Sequence, residues 1–173
     1  MNFAIDIPRF NINHLLLLEK RQNIVMNGYF TKLNLSTEIF TMNGLFMTFP
    51  IDINECITTK TRQTISFNPY SPNNIQIIQC LSKIEVHILD FYNINNLQHC
   101  KKKQVLVKHL QGGSMRFYID MEDNSDKVFK KTTNSDNYIL KISGIWETNN
   151  EIGITYKLLQ TNDVVSPGRL LKS

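Results

Sequence analysis

The chain has 173 residues, with 19 Lys plus Arg against 15 Asp plus Glu, and a formal charge of +4. That length suits about one domain, and 42% hydrophobic with 20% charged residues excludes a disordered polyelectrolyte. The four leucines at 15–18 run into Glu19-Lys20-Arg21, far short of the ~18 apolar residues that cross a bilayer, so no membrane partner is expected.

In chain order, the segment from Ala4 to Phe10 is short and apolar, but Pro8 demotes it to an edge or a bulge. Residues 23–35 alternate, with Ile24, Met26, Gly28 and Phe30 on one parity, and predict a strand. Asn43-Gly44 lies between Ile39-Phe40-Thr41-Met42 and Leu45-Phe46-Met47-Thr48-Phe49. Both turn residues tolerate positive φ, so a type I′ hairpin is predicted. Residues 59–67 are β-rich and end at Asn68-Pro69. Then Ser71 offers an N-cap and Pro72 a first helical residue. Ile77, Leu81, Ile84, Ile88 and Phe91 recur at spacings of 4, 3, 4 and 3, with Gln76, Gln79, Lys83, His87 and Asp90 on another face. This predicts one amphipathic helix closing near Tyr92-Asn93. A strand follows over 104–108, then a turn at Gly112-Gly113. A half-buried strand comes next, with Met115, Phe117, Ile119 and Met121 alternating with Arg116, Tyr118 and Asp120. Residues 120–137 are a polar excursion. A hairpin over 138–146 and 152–160 closes a single domain of residues 1–160, and 161–173 are expected to be a loose tail.

Mostly β with one long helix is thus the α+β class expected. Strands, helix, strands is also the element order of an oligonucleotide/oligosaccharide-binding (OB) fold. That fold is a five-stranded, partly open barrel with its helix between the third and fourth strands. A generic sheet with one packed helix gives the same order.

Basic residues gather late. Lys101, Lys102, Lys103, Lys108, Arg116, Lys127, Lys130 and Lys131 precede Lys141 and Lys157 in the last hairpin, and Tyr118, Tyr138, Trp146 and Tyr156 are interleaved with them. Cations along a backbone and rings under bases are how single-stranded nucleic acid is held without sequence preference. The plainer reading is a solvated lysine surface over an aromatic core. Parity favours it: Trp146 goes with Leu140 and Ile142, and Tyr156 with Ile154 and Leu158, opposite the lysines. The 20 Asn, 21 Ile and 14 Lys against one Ala also point to an A/T-rich genome, which lowers the weight of any single lysine.

The acidic run from Asp120 to Asp126 lacks the glycine and terminal glutamate of a calcium loop. Cys80, His87, His99 and Cys100 lack the close pair of a zinc finger. No phosphate loop, dinucleotide fingerprint or hydrolase motif is present, so neither metal, cofactor nor catalytic residue is expected. Three widely spaced cysteines, and first residues without a secretion signal, set the expectation of a reducing, intracellular compartment.

One stretch goes further. Leu140-Lys141-Ile142-Ser143-Gly144-Ile145-Trp146 followed by Gly153-Ile154-Thr155-Tyr156-Lys157 resembles the C-terminal strand pair of small single-stranded-DNA-binding proteins of large, A/T-rich DNA viruses. It covers 23 residues, 138 to 160. The resemblance implies an OB-like fold and a role in coating DNA during replication or repair, in a host cell's site of viral replication. It carries binding roles onto Lys141, Trp146, Tyr156 and Lys157. The expectation is a non-enzymatic protein that binds single-stranded nucleic acid, DNA rather than RNA. Its binding residues are those four with Lys101, Lys102, Lys103, Lys108, Arg116, Tyr118, Lys130 and Lys131. The competing class is a virion or assembly protein whose β-rich body packs against copies of itself.

Overall fold

The computed structural model describes residues 2–25, 27–58, 63–96, 99–119, 138–160 and 164–165. Its elements are β1 (Asn2–Phe3), β2 (Leu15–Gln22), β3 (Tyr29–Ser36), β4 (Thr41–Met42), β5 (Leu45–Thr48), β6 (Glu55–Thr58) and β7 (Gln63–Ser66). Then come α1 (Pro72–Asn95), β8 (Lys101–Lys102), α2 (Val105–Gln111), β9 (Ser114–Ile119), β10 (Tyr138–Glu147), β11 (Glu151–Gln160) and β12 (Val164–Val165). Short 3-10 turns at Ile7–Arg9 and Ile12–His14 precede β2, the first of them holding Pro8. Among the described residues the protein is mostly β with two helices, one of them long.

The last hairpin forms as the alternation predicts, and β10 is its central strand. One edge of β10 pairs antiparallel with β11 along nearly its whole length. The other edge is shared, with β5 taking Ile139 to Ile142 and β3 taking Gly144 to Glu147. The sheet runs β2-β3-β10-β11-β9-β7-β6, with β4 on β3, β5 on β10 and β8 on β11. The β9–β11 pair is parallel. Among the described residues the order is open, from edge strand β2 to edge strand β6. The helix expected after the third strand follows the seventh, because the first half of the chain also forms the short strands β1, β4, β5, β6 and β7.

One face of the sheet carries the core. Leu33, Leu35, Leu45, Met47, Ile65, Met115, Phe117, Leu140, Ile142, Ile145, Ile154 and Leu158 are buried there against the helices. On α1, Leu81, Ile84 and Ile88 are buried as the spacing predicts, while Ile78, Leu89 and Tyr92 widen the buried stripe and Ile77 and Phe91 stand at its margin. Ser71 is at the N-cap position, but its side chain makes no capping bond.

Three further expectations change. The arms flanking Asn43-Gly44 do not pair with each other. β4 goes to β3 and β5 to β10, because each finds an open edge on a longer strand. β3 begins at Tyr29, six residues later than the alternation suggests, because the chain first turns through Gly28, whose φ of 150 puts it in the region open to glycine. Of the strand expected over 104–108, residues 105–108 are helical and Gln104 is their N-cap. The cause is Glu85 on α1, which is fully buried. Its Oε1 and Oε2 accept from the backbone N–H groups of Leu106 and Val107 at 3.0 Å each, satisfying donors that the start of any helix leaves open. A carboxylate from another helix therefore nucleates α2. Of the tail, Val164–Val165 pairs with β1, and the rest lies outside the described residues.

Burial holds the Glu85 carboxyl above the usual carboxylate range, outweighing the N–H bonds that pull it down. A raised pKa means the protonated form suits the fold, so this stabilisation is complete at low pH and is lost as pH rises through the raised value. Glu85→Ala should destabilise by about 1–3 kcal/mol for each orphaned N–H. Glu85→Gln, which keeps one acceptor, should cost less. In urea titrations across pH, the wild type should lose stability relative to Glu85→Gln as pH rises above 4.5, the unshifted value. Parallel pH profiles for the two would contradict this placement.

Candidate nucleic-acid interface

The side of the sheet away from the helices is assembled by register. Lys141 on β10 stands directly opposite Lys157 on β11 and Phe46 on β5. Arg116 and Lys157 each come one residue before the parallel Phe117–Leu158 pair, and Arg116 is opposite Thr64 on β7. Facing residues in neighbouring strands project to the same side. Arg116, Lys157 and Lys141 therefore form a row of three cations across β9, β11 and β10. Phe117 and Leu158 are buried while Arg116 and Lys157 are exposed, as alternation requires.

A β-bulge then adds Trp146. The β10–β11 register slips between Ile142 and Gly144, so Ser143 is an extra residue. Before the bulge, Lys141 faces Lys157 and Ile142 faces Tyr156. After it, Gly144 faces Thr155, Ile145 faces Ile154, and Trp146 faces Gly153. One inserted residue exchanges inward and outward positions downstream of it. Trp146 thus shares the outer side with Thr155, Lys157 and Lys141, which corrects the uninterrupted parity reading that set it opposite the lysines. Glu147 is turned inward, where it accepts from the Tyr92 hydroxyl at 2.6 Å and from Lys20 Nζ at 2.7 Å.

Two glycines make room for rings on this side. A Cβ on Gly153 would lie 2.4 to 2.9 Å from the Trp146 indole, and one on Gly144 would lie 2.6 Å from Phe30 Cζ. The rings of Trp146 and Phe30 therefore lie across bare backbone, each half-buried. Cations and rings are also paired. Lys157 Nζ sits 5.3 Å from the Tyr118 ring centroid, and Lys141 Nζ 4.7 Å from that of Phe46. Lys32, opposite Gly144, and Arg21, opposite Phe30, extend the charge across β3 to β2. Two carboxylates at the margin, Glu19 and Glu151, stand beside Arg21 at 3.9 Å and Lys103 at 3.2 Å.

Between β9 and β11 the side opens into a cleft of about 770 Å³. Five of the residues expected from sequence line it: Arg116, Tyr118, Trp146, Tyr156 and Lys157. Tyr156 plays a different part from the others. It faces inward with Ile142, packs against the core, and its hydroxyl is hydrogen-bonded to His109 Nδ1 at the cleft floor. Burial first, and the Glu85 charge second, hold its phenol well above the ordinary tyrosine value. Tyr138 is buried edge-on to Phe117.

The remaining lysines are elsewhere. Lys101 and Lys102 form β8 at the start of β11; Lys102 pairs with Asp90 at 2.7 Å and Lys103 with Glu151 at 3.2 Å. Lys108 is exposed on α2. Lys127, Lys130, Lys131 and the acidic run lie outside the described residues. Among the described residues no three His, Cys, Asp or Glu side chains gather as metal ligands, and no helix is long and apolar enough to cross a membrane. Sequence reasoning missed Phe30, Phe46, Lys32 and His109. The readable signal was Gly144 and Gly153, since glycine inside a strand marks a bulge or a close approach.

Comparison of the chain with protein-family models, with curated proteins and with solved structures finds no match.

Trp146 is the only tryptophan, so intrinsic tryptophan fluorescence reports on this face alone. Gly153→Ala should push the indole off β11, because the atoms in the way belong to its side chain and not to backbone. The emission maximum should move to longer wavelength with only a small change in urea midpoint. An unmoved spectrum would show that the ring does not lie across Gly153.

Proposed function

We propose that this chain binds single-stranded nucleic acid on the outer side of its sheet and is not an enzyme. One observation carries the reading: the bulge at Ser143 brings Trp146 to the side that already holds Lys141, Lys157 and Arg116. The cations suit successive phosphates. The half-exposed indole and the Tyr118 ring, 50% exposed, suit unpaired bases. A duplex hides its base faces inside the stack and leaves the rings without a role. Read as an OB-like module, the protein uses β3, β5, β9, β10 and β11 as its binding surface. DNA coating in replication or repair is the role that the hairpin's resemblance implies.

A second reading has its own support. Ile24 and Val25 are fully exposed in the turn before β3, and Leu16 and Leu18 are exposed on edge strand β2. Such residues suit assembly of the chain with copies of itself.

Fluorescence anisotropy with labelled oligo-dT, oligo-U and a duplex, over a salt series, separates the two. For single strands, log affinity should fall linearly with log salt, at about −0.7 per phosphate contacted. Arg116→Gln, Lys141→Gln and Lys157→Gln should each flatten the slope by about 0.7. Lys102→Gln, whose lysine is paired with Asp90 away from the row, should leave it unchanged. Trp146→Leu should lower affinity by about 1–3 kcal/mol at an unchanged slope. Absence of binding at low salt, together with concentration-dependent sedimentation, would replace this reading by assembly.

A further inference from the structure

The opening between β9 and β11 has a volume and a lining of its own. Among the described residues, β9 pairs with β11 through 117–119 and 158–160, and β8 takes β11 at Glu151 and Ile152. Between those contacts residues 154–157 border the opening. α2, through Val105 and His109, closes it from the core side. The result is a recess of about 770 Å³, inside the usual size range of small-molecule pockets, roughly 300–1,000 Å³.

Its lining falls into three kinds. The Trp146 and Tyr118 rings are flat and apolar. The Thr155 hydroxyl and the His109 imidazole are hydrogen-bonding groups. Arg116 and Lys157 are cations at the rim. A free phosphate would use only the third kind, and an uncharged aromatic compound would leave the third idle. A nucleotide uses all three, with a flat base, hydrogen-bonding atoms on the base edge and sugar, and an anionic phosphate joined within about the reach of such a recess. One face of the indole is already taken by Gly153, so the ring offers one face and hence one base.

We propose that this recess holds a single nucleotide unit. Its base lies against Trp146, its phosphate against Arg116 and Lys157, and its sugar edge near Thr155. On a strand, one base is then taken into the recess while its neighbours lie on the open side. The proposal rests on the single-strand reading but makes a separate demand, that a mononucleotide alone is a ligand.

Trp146 emission during titration with thymidine 5′-monophosphate, thymidine and inorganic phosphate tests this, with a short oligo-dT titrated in parallel. The monophosphate should quench saturably and bind at least tenfold tighter than thymidine, and inorganic phosphate should not quench. Arg116→Gln with Lys157→Gln should bring the monophosphate down to the level of thymidine, while Gly153→Ala should weaken both. Saturating monophosphate should displace the oligo-dT. Binding of oligo-dT without any quenching by the monophosphate would overturn the recess and leave the single-strand reading standing. Quenching by the monophosphate without oligo-dT binding would keep the recess and remove that reading. Equal affinity for thymidine and its monophosphate would overturn the phosphate assignment and the proposal with it.

Discussion

The one-residue bulge in β10 is the constraint on which the two sides of this molecule depend. β10 is bonded along both edges, so it cannot slide to correct an extra residue, and Ser143 must be absorbed where it stands. Upstream, Leu140 and Ile142 face the core and Lys141 faces out. Downstream, Ile145 and Glu147 face the core and Trp146 faces out. Were Ser143 paired in regular alternation instead of bulged, Ile145 and Glu147 would face away from Tyr92 and Lys20, and the indole would have to take an inward place in the core beside Ile154. The bulge thus places a partly buried ion pair on one side and an aromatic ring on the other.

Glu147 shows how the core accepts this arrangement. Its carboxylate is nearly buried, and a buried charge is tolerated only when it is paired and hydrogen-bonded. Lys20 from β2 and the Tyr92 hydroxyl from α1 meet those needs and so tie the edge strand and the long helix to the end of β10. Burial and the bond to Glu147 push the Tyr92 phenol up to about 12, so the hydroxyl stays a donor across the physiological range. Glu85, two turns before Tyr92 on α1, does the corresponding task by capping the start of α2, and α2 in turn closes the inner side of the cleft. Two buried carboxylates, each placed by a helix or strand distant in sequence, thus support the residues around the candidate site.

Local pattern shows the elements whose signal is long and regular. The long helix α1 and the ten-residue arms of β10 and β11 were legible because their apolar spacing is sustained. Residues 105–111 were not legible, since Leu106, Val107 and Leu110 satisfy a short helix or a strand equally well. What decides between them is Glu85, some twenty residues away. The Asn43-Gly44 turn was legible but its pairing was not, because which edge is open depends on strands placed much later in the chain. At the candidate site the residue types were visible, and so were the sides of Lys141, Lys157 and Tyr156, but the side of Trp146 was not. Parity counted straight through Ser143 puts Trp146 in the core. The glycines at 144 and 153 hinted at a bulge, but only the register with β11 shows where the extra residue falls.

The central claim is that Trp146 and the cationic row share one nucleic-acid-binding side because of that bulge. Ultraviolet cross-linking to oligo-dT, with adducts mapped by mass spectrometry, tests it most directly. Cross-links should concentrate on Trp146 and Tyr118, in the peptides of β9 and β10, and should vanish at high salt. Adducts confined to the 101–103 lysines and α1, or no adduct under conditions where oligo-dT binds, would show that the strand lies elsewhere.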